Sequence, residues 1–497
     1  MNQVQKILNN KKYLTYLLVA SFIFVSIFYI WNLNKLPLTS YDETTYGIAI
    51  RSTINSGQWL SSYKYNEPWI NSPPIYFWLA MISSKIFNVT EFALRLPSAI
   101  FAILTIVFTY FLTKKLTNKI TLAWLSAFVL SMMPYFFITS RQVRLDVPVT
   151  FFILATILAT VTGWRKPKYL YWTFPLLAIA FMTKSVVAFL FLPIILLFSF
   201  FYKKWDWFRK PQLWWGLLIS LLIVMPWHWH QSIMWGKTFW QLYMGRIVWN
   251  KINIGFGDTT HFYYLQKLWE ITQPWWQLFL ILIITTLISW KFYKNKKIFK
   301  LFLASLLSFA VVLIFFSLSP TRISTYLLPV YPLLAMTIAT GIYYIWQISK
   351  KNTARILYIL TILILSFYSL LLSSGYLKNV IEQFHYPFDN TNKDIGSIIS
   401  QNSAVDDKIY QLDGPLGDVL SYYAQKPVII ISKDQIINNQ IFISSPAWLY
   451  LTDKSLPIFF YSNGQPKPQY ENIKLYYYQD NLILLYTLDD LKIDIIR

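Results

Sequence analysis

The fold class follows from the first long apolar stretch, YLTYLLVASFIFVSIFYIW, from Tyr13 to Trp31. A helix needs about 20 apolar residues to cross a bilayer, and this stretch is long enough. No small-residue cleavage site follows it, so we interpret it as a retained membrane helix and not as a removed signal peptide. The next segment, LTSYDETTYGIAIRSTINSGQW (Leu38 to Trp59), then places two adjacent acids, Asp42 and Glu43, shortly after this helix.

The composition of the whole chain is that of a membrane protein. Of its 497 residues, 56% are hydrophobic and 13% are charged, whereas soluble proteins carry about 25% charged residues. The net charge of +22 does not indicate nucleic-acid binding, because the basic residues form short clusters between apolar runs and not a basic face or tail. The chain has no cysteine, which excludes disulfides and thiolate chemistry.

Hydropathy predicts about eleven membrane helices. The predicted spans are 12–33, 93–112, 120–140, 146–163, 169–183, 185–202, 212–230, 275–291, 299–317, 323–346 and 354–374. Clusters of Lys and Arg occupy every second connection, as is typical of cytoplasmic loops, so the N terminus is predicted to be cytoplasmic. The remaining connections then face outward, and two of them are long, residues 33–92 and 231–274.

The last part of the chain has a different composition. Segments such as KPVIIIS and IKLYYYQ, which lie between turn residues, are typical of strands. We therefore predict two domains: a transmembrane domain over 1–375, which includes the two long outer loops, and a small extracytoplasmic α/β domain over 376–497.

The few charged residues on the predicted outer side gather where spans end. Ionisable groups at membrane depth are costly and usually mark a functional site. A carboxylate can take a proton from a hydroxyl nucleophile, and Arg and Lys can hold a phosphate. This combination predicts transfer of a group from a lipid phosphate to a hydroxyl. A carboxylate with a histidine can also hold a divalent metal ion, so Asp42 and His261 are possible metal ligands. The residues are Asp42, Glu43, Arg141, Arg144, Asp146, Lys184, His261 and Arg322.

The order and spacing of several motifs resemble those of a known family. The segments are YDETTYGIAIRSTINSGQWL, SPPIYFWLAMISSKIFN, EFALRLPSAIFAILTIVFTYFLTKKL, SRQVRLDVPVTFFILA and SPTRISTYLLPVYPLLA. Together they resemble the GT-C glycosyltransferases that use polyprenyl-phosphate sugars, especially the protein O-mannosyltransferases and the aminoarabinose transferases that modify lipid A. The resemblance covers most of the first 345 residues and is much weaker in the tail.

The resemblance implies an all-α polytopic GT-C fold with about eleven or more transmembrane helices, followed by the small α/β domain. It implies an inverting displacement in the plasma membrane, from a polyprenyl-phosphate monosaccharide to a hydroxyl of an extracytoplasmic protein, glycolipid or cell-envelope glycan. Asp42 would be the base, and Glu43 would position the acceptor or the loop. The candidates for binding the donor phosphate are Arg144, Lys184 and Arg322. Further site candidates are Asp146, His261 and Tyr326.

One departure from the family pattern concerns the residues before a pair of prolines. The aminoarabinose transferases have an acid and a lysine there, whereas this chain has Asn71 and Ser72 before Pro73 and Pro74. The change removes a metal ligand and a donor contact of that subgroup. It therefore argues against an aminoarabinose transferase.

Each candidate also has a purely structural interpretation. Acids favour the first turn of a helix, so Asp42 and Glu43 are also expected to start a helix that ends at Gly57. Lys184 is equally compatible with capping a turn, and we expect Arg141 to extend towards lipid headgroups. The pair Arg144 and Asp146 would fix its loop, Arg322 would anchor its helix, and a lone histidine such as His261 is more often structural.

Two other functions are compatible with a polytopic protein. A lipid-linked polysaccharide polymerase or ligase also has many spans and a large outer loop, but an acidic pair directly after the first span is not expected there. A lipid-linked sugar flippase or transporter would place acids or broken helices at mid-membrane. The charges of this chain lie instead at the predicted span ends.

Overall fold

The computed structural model describes most of the first 348 residues and parts of the remainder. The described residues are 11–38, 42–65, 67–249, 260, 262–288, 296–348, 364, 367–369, 371, 389–404, 406–412, 418–431, 441–443, 447–451, 458–459, 473–479, 482–487 and 491–495.

The chain divides into two compact units. We call Met1–Asn34, Gln58–Ser62 and Trp69–Lys378 the helical unit. The sheet unit consists of Lys35–Gly57, Tyr63–Pro68 and Asn379–Arg497. The sequence prediction had placed residues 35–57 and 63–68 in the transmembrane domain, as part of its first outer loop. By compactness they group with the C-terminal part of the chain.

The helical unit consists of thirteen α-helices among its described residues, with short 3-10 segments between some of them. The helices are α1 (Lys11–Ile30), α3 (Ile75–Phe87), α4 (Glu91–Thr117), α5 (Ile120–Ser131), α6 (Pro134–Thr139), α7 (Asp146–Gly163), α8 (Thr173–Lys184), α9 (Phe191–Tyr202), α10 (Pro211–Trp240), α11 (Tyr263–Ile271), α12 (Trp275–Ile288), α13 (Lys296–Leu318) and α14 (Tyr331–Ile348); α2 belongs to the sheet unit.

Six helical stretches within the described ranges are long and apolar enough to cross a membrane, or seven if α11 and α12, which meet at 110°, form one span. The chain is therefore a multi-pass membrane protein. This count is lower than the eleven predicted from sequence. One reason is that α5 is only a shorter apolar helix, and another is that the predicted span 354–374 lies largely outside the described residues.

Helices α7 and α14 form the centre of the helical unit. In the 18-residue apolar stretch of each span, 83% of the residues are buried for α7 and 89% for the span that contains α14, against 17% for α10. Both helices contain threonines whose hydroxyls would be costly to bury without a partner. In α7, Thr150 and Thr156 donate to the carbonyls of Asp146 and Phe152, each at 2.7 Å. Such bonds to the preceding turn satisfy the hydroxyls inside an apolar bundle.

Helices α8 and α9 run in opposite directions along α7. At the start of α8, the hydroxyl of Thr173 lies 3.1 Å from that of Thr160, near the end of α7. At the end of α9, the ring of Tyr202 lies 5.9 Å from that of Trp164, at the same end of α7. Lys184, between them, contacts the first residue of α7. The stretch Pro167–Tyr202 is thus a hairpin, and the predicted break at Lys184 is confirmed.

The two ends of α7 differ in charge. Near Gly163, Lys115 lies within electrostatic range of Arg165 and Lys166. Basic clusters from two connections therefore gather at this end, which we call the basic end. The charged candidates Asp146 and Lys184 lie at the opposite end, which we call the Asp146 end.

The sheet unit contains a mixed sheet packed against helices. Its helices are α2 (Asp42–Ser56), α15 (Asp389–Asn402) and α16 (Asp418–Ala424), and its strands are β1 (Tyr63–Lys64), β2 (Glu67–Pro68), β3 (Lys408–Leu412), β4 (Val428–Ile431), β5 (Ile441–Ile443), β6 (Ala447–Leu451), β7 (Ile458–Phe459), β8 (Ile473–Gln479), β9 (Leu482–Thr487) and β10 (Leu491–Ile495). The main sheet has the order β4-β3-β6-β9-β8. Strand β3 is parallel to β4 and β6, whereas β9 is antiparallel to β6 and β8. A short second sheet has the order β5-β10-β7, and β1 and β2 form a hairpin.

Helix α2 is attached to α16 by close contacts within the sheet unit. A side chain at Gly47 would meet the ring of Tyr422 at 2.8 Å, so only glycine permits this approach. The guanidinium of Arg51 donates to the Tyr422 carbonyl at 2.5 Å, and the backbone N–H of Leu38 donates to the Tyr423 hydroxyl at 2.9 Å. The helix that carries the acidic pair is therefore fixed to the C-terminal part of the chain.

Candidate active site

The carboxylate of Asp146 is buried in the helical unit. Asp146 is the first residue of α7 and is only 5% exposed. An ionised carboxylate in such a place needs a counter-charge, because its removal from water is costly. Lys184 supplies that charge: its Nζ forms an ion pair and a hydrogen bond with Oδ1 of Asp146. The pair joins the first residue of α7 to the last residue of α8.

The backbone turn after α8 directs Lys184 towards Asp146. Ser185 has φ 38° and ψ −127°, a conformation that residues other than glycine rarely adopt. Such geometry persists only where the surroundings hold it in place. Here the Ser185 hydroxyl shares a buried 3.0 Å hydrogen bond with the Tyr243 hydroxyl. The Tyr243 ring in turn stacks on Phe239 at 5.2 Å, so Tyr243 fixes the turn that places Lys184.

An aromatic ring covers another side of Lys184. Its Nζ lies 4.9 Å from the centre of the Tyr326 ring, a distance typical of cation–π contacts. Tyr326 belongs to the 3-10 segment Ser324–Val330 that leads into α14. The Ser324 hydroxyl bonds to the Tyr135 hydroxyl at 2.7 Å, which attaches this segment to α6. Three separate parts of the chain therefore meet around the ammonium group.

Arg322 lies next to the same segment. Its guanidinium donates to the carbonyl of Thr260, and the neighbouring N–H of Ile323 donates to the Tyr264 hydroxyl at 3.3 Å. That hydroxyl lies within electrostatic range of both Arg322 and Asp146. Among the described residues, the buried Nε of Arg322 has no hydrogen-bond partner. A buried N–H donor without a partner is unfavourable and is well suited to donate a hydrogen bond to an anionic oxygen.

Backbone hydrogen bonds fix Arg144 close to the Asp146 end. Its N–H donates to the Ser98 hydroxyl at 3.3 Å, and that hydroxyl donates to the Arg144 carbonyl at 3.1 Å. The Arg144 Nε donates to the side-chain oxygen of Gln142 at 3.3 Å. Ser98 of α4 thus fixes the backbone of Arg144 close to the start of α7, and the role of Arg144 as a phosphate ligand stays a prediction.

Arg141 has a structural role that the sequence interpretation missed. It does not extend to lipid headgroups but donates to the carbonyls of Phe28 and Tyr29, both at 3.2 Å, at the end of α1. Those carbonyls have no partner within their own helix, and an Arg at a helix C terminus satisfies them. Burial, with the charge of Arg95, lowers the pKa of Arg141 to about 10, so the group stays charged at neutral pH.

The acidic pair belongs to the sheet unit. Helix α2 begins at Asp42 and has both acids in its first turn, where the helix dipole stabilises negative charge. Glu43 is fully buried, whereas Asp42 is partly exposed. The helix ends at Ser56, before Gly57 with φ 70°. The predicted helix is confirmed, and capping does not exclude a catalytic role for either acid.

His261 lies outside the described residues, so its role as a metal or substrate ligand stays a prediction. Within the described part of the chain, no three His, Cys, Asp or Glu residues come together as a potential metal site. Asp42 therefore has no such group around it among the described residues.

Comparison with known protein families and sequences gives consistent matches. A family described as dolichyl-phosphate-mannose-protein mannosyltransferase matches residues 71–230. An undecaprenyl phosphate-alpha-4-amino-4-deoxy-L-arabinose arabinosyl transferase of Pseudomonas aeruginosa is 24% identical over 326 residues, which cover 61% of this chain and 55% of that protein. An uncharacterized protein of Aquifex aeolicus is 26% identical over 345 residues, 69% of this chain and 67% of that one. The chain thus spans just over half the length of the transferase.

Solved structures share the fold. ArnT from Cupriavidus metallidurans, in a crystal structure with undecaprenyl phosphate, matches with a TM-score of 0.72 at 15% identity, over 95% of this chain and 97% of that one. An Archaeoglobus fulgidus oligosaccharyltransferase matches with a TM-score of 0.52 at 13% identity, over 82% and 62% of the two chains. The chain has the fold of these proteins and is similar in sequence to GT-C membrane glycosyltransferases.

Sequence reasoning missed several residues that shape the Asp146 end. Tyr243 and Ser185 hold the turn at Lys184, Tyr135 holds the segment with Tyr326, and Tyr264 bonds the backbone beside Arg322. The chain contains 35 tyrosines, and nothing in their local sequence distinguishes these three. The positive φ of Ser185 also has no sequence signal, because glycine is the residue usually expected there.

The ion pair predicts a specific pattern of stabilities for three variants. Asp146→Asn and Lys184→Gln each leave one charge uncompensated at a buried site, so each is expected to destabilise the protein more than a neutral pair would. The double variant removes both charges and should recover part of the loss, with a coupling energy of about 1–3 kcal/mol. Thermal unfolding in detergent, with Lys204→Gln as an exposed control, measures the effect. Strictly additive losses would show that the two side chains do not interact.

Proposed function

We propose that this GT-C transferase moves a monosaccharide from a polyprenyl-phosphate donor to a hydroxyl of an extracytoplasmic acceptor, with inversion at the anomeric carbon. The observation that carries the proposal is the gathering of Lys184, Arg322 and Arg144 at the Asp146 end. Lys184 forms its ion pair with Asp146 there, and the two arginines belong to segments that reach the same end. Such a group of cations fits a phosphate ligand.

Arg322 and Lys184 are the proposed contacts for the donor phosphate. The buried Nε of Arg322 offers a donor with no partner among the described residues, and guanidinium groups bind phosphate oxygens with strong charge-assisted bonds. Lys184 contributes a point charge whose ring contact with Tyr326 limits its motion. The related ArnT binds undecaprenyl phosphate, and we extend this class of ligand to the present chain.

The chemistry is a single displacement. The acceptor oxygen forms a bond to the anomeric carbon while the bond from that carbon to the phosphate oxygen breaks. The acceptor proton passes to a carboxylate, for which we propose Asp42, and the polyprenyl phosphate leaves as an anion. Cations at the phosphate stabilise the charge that develops on it, which lowers the barrier. Glu43 is proposed to keep the first turn of α2 in place, because it is fully buried there.

The charges at the two ends of α7 are the basis for proposing which side of the membrane the site faces. Lys and Arg are enriched in cytoplasmic loops, so we propose that the basic end, with Lys115, Arg165 and Lys166, faces the cytoplasm. The Asp146 end then faces away from it. The protein is proposed to lie in the plasma membrane with a cytoplasmic N terminus and an extracytoplasmic sheet unit.

The position of the ion pair disfavours a transporter. Substrate sites in secondary transporters lie near the bilayer midplane, often at broken helices. Asp146 and Lys184 are instead the first and last residues of their helices. A polymerase or ligase that uses diphosphate-linked donors is the remaining alternative, and the choice of donor distinguishes it.

Replacement of the proposed base tests the catalytic assignment. Asp42→Asn keeps the size of the side chain but removes the proton acceptor, so turnover is expected to fall by about 10²–10⁴-fold while the donor KM changes little. The assay measures release of polyprenyl phosphate from polyprenyl-phosphate sugars by the protein in nanodiscs, with cell-envelope acceptor. Asp406→Asn, an exposed acid of the same unit, is the matched control. Normal turnover by a folded Asp42→Asn protein would rule out this base.

The donor contact gives a separate prediction. Arg322→Gln removes a charge-assisted bond worth about 1.5–3 kcal/mol, so the KM for the polyprenyl-phosphate sugar should rise about tenfold or more. The matched control is Arg165→Gln at the basic end, which should leave that KM unchanged. Equal effects of the two variants would place the donor phosphate elsewhere.

A further inference from the structure

A cavity with several polar groups in its lining lies entirely within the sheet unit. It has a volume of about 640 Å³ and lies between the second half of α2, the β1–β2 hairpin and the turn after α16. This size falls in the range of small-molecule sites. Its lining combines apolar surface with two cations, a carboxylate, hydroxyls and amides; the residues used below are Arg51, Ser52, Asn55, Lys64, Tyr65 and Gln425.

Specific bonds fix the hairpin wall of this cavity. The backbone N–H of Tyr65 donates to the Ser52 hydroxyl at 3.0 Å, and Tyr65 has φ 57°. Its hydroxyl bonds with that of Ser421 and donates to the Lys426 carbonyl at 3.1 Å. A strained residue held by three bonds gives a wall of defined shape.

The cation on the helix wall is equally constrained. The guanidinium carbon of Arg51 lies 4.1 Å from the centre of the Tyr422 ring, and Nη1 donates to the Tyr422 carbonyl. Stacking and a backbone bond fix the plane of the guanidinium. A fixed guanidinium loses little freedom when it binds an anionic group, so it is well prepared for one.

We propose that this cavity binds the saccharide part of the acceptor, and that it favours acidic or phosphorylated saccharides. Hydroxyls and amides, such as Ser52, Asn55 and Gln425, both donate and accept hydrogen bonds, as sugar hydroxyls require. Arg51 and Lys64 against Glu67 leave a net positive charge for an anionic substituent. This inference rests on the proposed function, because it assigns the acceptor of that same reaction.

The cavity and the proposed base share one helix. Ser52 to Ser56 follow Asp42 by ten to fourteen residues, which is roughly 15–21 Å along α2. A single monosaccharide does not span this length. The cavity therefore selects an extended acceptor, with one part bound at the far end of α2 and the reacting hydroxyl elsewhere along the ligand.

Direct binding tests the inference without turnover. The probes are a hyaluronate oligosaccharide (acidic), a maltooligosaccharide (neutral) and an oligoglutamate peptide, each titrated by calorimetry into the full chain in phosphatidylcholine nanodiscs. We expect hyaluronate to bind more tightly than the other two. Lys64→Gln should weaken it about tenfold, and Asn55→Leu should weaken it at least as much by filling the cavity. Lys204→Gln, an exposed lysine outside the cavity, should have no effect.

The result that overturns the inference is equally direct. Absence of hyaluronate binding, unchanged binding by both cavity variants, or equally tight binding of oligoglutamate would each exclude a saccharide site. In turnover, Lys64→Gln should raise the acceptor KM and leave the donor KM and kcat unchanged. If the wild type releases no polyprenyl phosphate from any donor, the proposed function fails, whereas the binding result still decides the cavity.

Discussion

The ion pair between Asp146 and Lys184 is the constraint on which the helical unit depends. A charge inside an apolar bundle is tolerated only with a partner at close range, so the end of α8 must lie beside the start of α7. The chain therefore reverses directly after Lys184, and α9 returns along α7 towards Trp164. The two ends of α7 therefore differ: Lys115, Arg165 and Lys166 lie near one end, and the pair Asp146–Lys184 lies at the other.

The pair also explains the supporting residues around it. An unusual backbone at Ser185 and a buried bond to Tyr243 hold the turn. Tyr326 covers the ammonium, and it is held in turn by the contact of Ser324 with Tyr135. A positively charged group placed this firmly needs little reorganisation when an anion arrives, which is the condition for electrostatic stabilisation of a leaving phosphate. The proposed base and the proposed acceptor cavity belong to the other unit, on helix α2.

Local sequence patterns predicted those features that depend on local chemistry. The apolar runs predicted the membrane helices, the acids and Gly57 predicted the bounds of α2, and Lys184 within an apolar run predicted a break. Asp146, Lys184 and Arg322 lie near connections that have no basic cluster. The sequence therefore predicted that they lie on the same side of the membrane. These inferences required only the period of the helix, the cost of a buried charge and the distribution of Lys and Arg.

Features that depend on distant partners were not predictable. Arg141 donates to carbonyls at the end of α1, and Tyr243 bonds with Ser185. Residues 35–57 group with the C-terminal part of the chain. Each of these contacts joins segments that are far apart in the sequence. Many tyrosines and arginines have similar neighbours, so nothing local identifies the one that makes the contact. Six or seven of the described stretches are long and apolar enough to cross a membrane, and the larger predicted number stays a prediction, because hydropathy does not distinguish a short helix such as α5 from a full span.

A structure of the protein in nanodiscs with a polyprenyl phosphate would test the central claim most directly. We expect the phosphate to lie at the Asp146 end, with oxygens about 3 Å from Nζ of Lys184 and from the guanidinium of Arg322. Phosphate bound at the basic end, or more than one side-chain length from both groups, would contradict the assignment of these cations to the donor.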